Sequence, residues 1–176
     1  MKDIIMPFTP FHFGPGIILG LLLLKYLDFP TFVAANVIID WRATLVFFGL
    51  LDGPLHGWVH TYLGASIMAL SLGGAMIYMR PRMEKIMSDL ELRQKISRKK
   101  IFLTSFAGVF IHITLDAMHH PYMQPFFPLD IRPLFGLAST FELRAVTFTM
   151  LLLSFPVYIL HVSDTSNFRL ENLSGK

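Results

Sequence analysis

The sequence contains no cysteine. Disulfides, thiolate metal sites and cysteine nucleophiles are thereby excluded, while the redox compartment stays open. Charge is scarce as well. Asp, Glu, Lys and Arg make up 15% of the 176 residues, against about 25% in an average soluble domain. The shortage is uneven, with long stretches almost free of charge, and apolar residues reach 53%. Such a pattern implies lipid rather than water as the solvent. The net charge of +3 does not indicate nucleic acid, because the basic residues gather in one short segment between apolar runs. The early apolar run Ile17–Leu24 lacks a basic leader and a small-residue cleavage site. The N-terminus is therefore expected to be retained rather than removed as a signal peptide. There is no internal repeat and no low-complexity segment.

A membrane-crossing helix needs roughly 20 mostly apolar residues. The segments 14–29, 32–51, 58–79, 101–119 and 143–162 are read as spans. The predicted fold is all-α: a polytopic transmembrane helix bundle of about five spans, forming a single membrane domain over residues 1–176. Asp28-Phe29-Pro30-Thr31 reads as a tight turn and Gly53-Pro54 as a breaker. The third span is rich in small residues, which suits close packing in lipid. Residues 80–100 form a basic connector, read as a solvated segment attracted to anionic headgroups. Tyr122 to Phe141 carries Pro125, Pro128 and Pro133 among aromatics. It cannot be one straight helix and is expected to form an interfacial cap or lid. Pro156 should kink the fifth span, and the tail from Ser163 should fray.

Lys and Arg in short loops mark the cytoplasmic side. The connector holds eight of them: Arg80, Arg82, Lys85, Arg93, Lys95, Arg98, Lys99 and Lys100. With the connector in the cytoplasm, alternating spans put the N-terminus outside. His12, His56, His60, His112, His119 and His120 then share the outer face of a cell (inner) membrane, and only His161 falls opposite. The charge rule makes no use of histidine, so this agreement is informative. It depends on residues 32–51 crossing the membrane.

His56 and His60 form H-x-x-x-H. On a helix, positions i and i+4 share a face, the spacing two imidazoles need to hold one metal ion. The glutamate of the H-E-x-x-H protease motif is missing. His112 and Asp116 repeat the i,i+4 spacing, and His119 and His120 extend the same stripe. Imidazole with carboxylate suits Zn²⁺, Mn²⁺ or Fe²⁺. Asp40 lies inside an apolar run, where an unpaired carboxylate costs roughly 2.5–3.5 kcal/mol. It is expected to face the bundle interior and meet a cation: a metal, a metal-bound His, or an Arg of another helix. Arg42, two residues on, does not face it. A lone intramembrane His ordinarily packs and hydrogen-bonds, and His161 is read so. Trp58 and Tyr122 read as interface anchors. His119, Arg132 and Arg144 are candidate substrate contacts, the two arginines for an anionic group or simply as loop charges.

These residues resemble the YdjM-like, LexA-binding family of inner-membrane-associated metal-dependent hydrolases. That family has an early His-Gly element, a D-x-D-like element, an H-R-x-x-x-H-S-like element and a later H-x-x-x-D. The matching stretches are Thr9–Gly16 around His12, Ile38-Ile39-Asp40, Leu55–Thr61 around His56 and His60, and His112–Asp116, with Phe126-Phe127-Pro128 downstream. The order holds over about Thr9 to Pro128. Ile38 replaces the first acidic residue, Gly57 the arginine and Thr61 the serine. The missing arginine removes an anion contact at that point. The resemblance implies a metal-dependent membrane hydrolase without naming a substrate.

The expected function is hydrolysis of a lipid-like ester or phosphoester. A divalent metal, Zn or Mn, would be held by His12, Asp40, His56, His60, His112 and Asp116, and would activate water. Asp116 or His120 would act as general base or acid. The expected partner is a membrane lipid or amphipathic substrate. One alternative is a non-enzymatic metal- or haem-binding or transport protein, although the Asp residues favour a hard divalent ion over haem. Another is a membrane di-iron oxygenase or desaturase, whose His boxes His56/His60 and His119/His120 match superficially. Such enzymes carry their histidines on the cytoplasmic side.

Overall fold

A computed structural model describes residues 10–53 and 57–174, with side-chain surroundings through residue 164. Among these residues seven α-helices follow one another: α1 Pro10–Leu22, α2 Phe29–Ile38, α3 Trp41–Phe47, α4 Tyr62–Met79, α5 Glu84–Asp89, α6 Arg98–His119 and α7 Thr140–Ser174. Two 3-10 turns, Trp58–His60 and Arg80–Met83, precede α4 and α5. No strand occurs among the described residues, and three of their helical stretches are long and apolar enough to cross a membrane: Tyr62–Asp89, Arg98–His119 and Thr140–Asp164.

The other two expected spans take a different form. The first ends at Leu22 rather than Phe29, because the chain winds into turns over the next residues. The turns are held from outside: Gln94 Nε2 donates to the carbonyls of Leu24 (2.5 Å) and Leu27 (2.6 Å), and Lys100 Nζ donates to Leu24 (2.9 Å). These donors satisfy the carbonyls that a helix end leaves open. Asp28 is then the N-cap of α2 rather than a mere turn residue, with Pro30 in the first helical turn. The expected second span, 32–51, is broken into α2 and α3 by a turn at Ile39-Asp40. At about 1.5 Å per residue, the 13-residue α1 and 10-residue α2 reach roughly 20 and 15 Å.

The remaining segments also differ in detail. The tail expected to fray from Ser163 continues α7 to Ser174, and Pro156 lies within that helix. The 80–100 connector is partly structural, since Arg80 is fully buried. The 121–139 segment consists of turns and irregular chain, as the prolines require. It is tied down at three points. Tyr62 N–H donates to Pro125 O (2.8 Å), Gly136 N–H donates to Met118 O (2.9 Å), and Met123 is buried in the main core.

α6 is the central helix. α2 and α4 pack against it, α1 packs against α2, and α7 packs against α1. The core between α2, α4 and α6 is built of Ala35, Ile39, Ala65, Ala69, Val109, Ile113 and Ala117. A Cβ at Gly108 would lie 2.4 Å from Ala35 Cβ, so only glycine lets α2 come this close to α6. A Cβ at Gly14 would lie 2.0 Å from Thr147 O, giving the same dependence where α1 meets α7. Small residues at such crossings are how helices associate in lipid. α7 turns Phe148, Leu152, Phe155 and Leu160 outward, an arrangement that water disfavours and lipid accepts.

Candidate metal centre

α2 and α4 pack against α6, and four polar residues from distant parts of the chain come together beside them. α6 supplies His112 and Asp116 on its buried face. The break after α2 supplies Asp40, and the 3-10 turn before α4 supplies His60. All four are essentially fully buried. Each offers one ligand atom, and the four atoms lie within 4.8 Å of one another.

Asp40 occupies the N-cap position of α3, where an aspartate ordinarily accepts a hydrogen bond from the helix's first N–H groups. Its side chain makes no such bond. Oδ1 instead lies 3.4 Å from His60 Nε2 and 3.3 Å from His112 Nε2. Asp116 Oδ2 lies 3.2 Å from His112 Nε2 and 4.0 Å from His60 Nε2, while its Oδ1 lies 3.2 Å from His12 Nε2. His12, in the first turn of α1, stacks on the His112 ring with centroids 3.8 Å apart.

The decisive detail is the other nitrogen of His112. Nδ1 sits 2.7 Å from the main-chain carbonyl of Asn36. A carbonyl only accepts, so Nδ1 carries the proton. In the neutral imidazole Nε2 is then a bare lone pair. It faces two carboxylate oxygens and makes no aligned hydrogen bond among the described residues. Three acceptors converging in a buried space require a cation or a proton between them. A histidine that ligates metal commonly donates its second ring N–H to a carbonyl or carboxylate. The donor set therefore fits a divalent ion.

The sequence-derived candidates divide accordingly. Asp40, His60, His112 and Asp116 come together, with His12 against them. His56 lies outside the described residues. His60 is positioned by a 3-10 turn and not by the helical i,i+4 pairing with His56, because Thr61 caps α4 and starts the helix only after it. Asp116 belongs to the cluster. His119 and His120 are half-buried at the end of α6, rings 3.9 Å apart, and form a second convergent group with Asp116. Arg132 is spent within its own loop, on Pro121 O and on Asp130 (3.1 Å). Arg144 places its guanidinium over the Phe11 ring at 5.7 Å, one residue from His12. His161 Nε2 meets Glu91 O at 3.1 Å, far from the cluster in the fold. The Asn36 carbonyl is the partner that sequence reasoning missed, and a main-chain atom leaves no signal in residue types.

A cavity of about 220 Å³ opens on His60. Its walls include Trp58, Tyr122, Met123 and Phe127, with Gln124 as a polar group. Trp58 and Tyr122 are exposed on the outside of the molecule. No protein-family model, curated protein or solved structure matches the chain.

Proposed function

We propose that the chain is an integral membrane, metal-dependent hydrolase acting on a lipid-like ester or phosphoester. The observation that carries this reading is the His112 ring, held by Asn36 so that its Nε2 faces two buried carboxylates. Asp40, His60, His112 and Asp116 are the proposed ligands, and His12 orients Asp116 through its second oxygen. Zn or Mn suits a set of imidazoles and carboxylates. The His-to-Asp separations of 3.2–4.0 Å bracket the edge of about 3.4 Å that a tetrahedron with ligand bonds near 2.0–2.1 Å would have. When bound, such an ion supplies Lewis acidity and activates water. The aromatic cavity beside His60 suits an acyl chain, and Gln124 offers an amide to its polar end. The resemblance to YdjM-like hydrolases supports the same chemistry.

In this reading the basic connector is cytoplasmic and the metal centre lies toward the outer face. α1 and α2 are two short crossings beside the three long ones, giving five in all. The contact between His161 and Glu91 is consistent with it, because it returns the far part of α7 to the connector side.

The test is turnover by detergent-purified protein loaded with Zn or Mn, against acyl esters, phosphomonoesters and phosphodiesters bearing lipid tails. Hydrolysis that a chelator removes and Asp40→Ala abolishes is the expected result. Metal-loaded protein that turns over no member of the panel would overturn the hydrolase reading, and metal flux in vesicles would then identify a carrier.

A further inference from the structure

We propose that the chain holds a second divalent ion, on Asp116, His119 and His120, with Asp116 shared between two adjacent centres. The inference rests on the reading of Asp40, His60, His112 and Asp116 as the first centre. His119 and His120 follow Asp116 by three and four residues, the spacings that bring side chains together on one helix face. One ligand atom from each of the three lies within 4.8 Å of the others.

Three features make this group a ligand set rather than a chance meeting of side chains. His119 Nδ1 lies 3.1 Å from Leu115 O. The carbonyl fixes the proton on Nδ1 and turns Nε2 into a lone pair, as Asn36 does for His112. The group also sits at the C-terminal end of α6, where the helix dipole places a partial negative charge that favours a cation. Asp116 is common to both groups: its carboxylate supplies an atom within 4.8 Å of the ligand atoms of His119 and His120 as well as one among Asp40, His60 and His112, and His12 keeps its 3.2 Å contact with Oδ1.

The second group has its own approach from outside. His119 lines a cavity of about 620 Å³ together with Ser139, Thr140 and Glu142, distinct from the one that opens on His60. Two imidazoles with one carboxylate suit Zn²⁺, Mn²⁺ or Fe²⁺. In this proposal His120 serves as a ligand.

The experiment is reconstitution of full-length protein with Mn²⁺, followed by elemental analysis and electron paramagnetic resonance. Wild type is expected to hold two ions per chain with a spin-coupled spectrum. His119→Ala/His120→Ala is expected to hold one, with an uncoupled spectrum and unchanged helical circular dichroism. Should the double variant not fold, His119→Gln alone reads the same difference. One ion in both proteins or two in both would overturn the proposal and leave the first centre standing, and loss of both ions from the variant would overturn the division into two centres. No ion in wild type would overturn both readings.

Discussion

Asp28 and Asp40 both occupy helix N-cap positions in this bundle, and they use their carboxylates in opposite ways. Asp28 begins α2 and accepts from Thr31 N (3.4 Å) and Thr31 Oγ1 (2.6 Å), while its other oxygen accepts from Arg80 Nε (2.8 Å). One buried carboxylate meets one buried guanidinium, and charge is balanced within the protein. Asp40 begins α3, caps nothing, and points at two imidazoles beside a second carboxylate. Charge balance there needs a proton on an imidazole or a bound cation. The comparison sets a clamp beside a candidate binding centre, both of them buried ionic clusters touching α6 or its neighbours. Burial and ionisable residues alone do not mark a functional site. Acceptors facing acceptors do.

The largest expected effect falls on the clamp. Asp28→Ala leaves Arg80 buried without its countercharge, and denaturant unfolding in mixed micelles should register a loss of about 3–5 kcal/mol. Replacing both partners, Asp28→Leu with Arg80→Met, should recover most of that loss, because the desolvation cost disappears with the charges. The metal centre should behave in reverse. Removing metal from wild type should lower its stability by about 2.7 kcal/mol when the free metal had stood at 100 times Kd. Metal-free Asp40→Asn should be at least as stable as metal-free wild type, since it removes one of two buried carboxylates converging on His112 Nε2 and its amide can donate to that nitrogen. A metal-free Asp40→Asn protein less stable than its parent would erase the distinction between the two clusters.

A smaller effect is expected where packing and chemistry meet. Gly108→Ala forces α2 away from α6, because its Cβ collides with Ala35. Overpacking of this kind costs roughly 1–3 kcal/mol. The same displacement moves the Asn36 carbonyl from His112, and loss of such an outer partner weakens metal affinity by about 10–100-fold. Metal titration of the folded variant reads this directly. The smallest effect belongs to His161→Phe, which loses one hydrogen bond to Glu91 O, worth about 1 kcal/mol. Its metal content should match wild type.

Part of this design was legible in the sequence. A helical, lipid-solvated chain follows from long stretches without charge, and His112 and Asp116 are readable as a pair because both sit on one uninterrupted helix. Asp40 stands out because a lone carboxylate in an apolar run needs a partner. The break at Ile39-Asp40 was hidden, since residues 32–51 have the composition of a continuous span and composition does not report where the backbone turns. Asp28 and Arg80 are 52 positions apart, and nothing in the run of eight connector cations distinguishes the one that is buried. Gln94, which holds the Leu24 and Leu27 carbonyls, looks like any polar loop residue. The Asn36 contact is made by the main chain and depends on the closeness that Gly108 permits, so only the assembled bundle reveals it.

The central claim is that the cluster around Asp116 binds metal while the cluster around Asp28 does not. Elemental analysis of detergent-purified protein, reconstituted with Zn or Mn and freed of excess, tests it most directly. Wild type and Asp28→Leu/Arg80→Met should both retain stoichiometric metal, and folded Asp116→Ala should retain none. Metal that persists in Asp116→Ala, or wild type that binds none after reconstitution, would contradict the account.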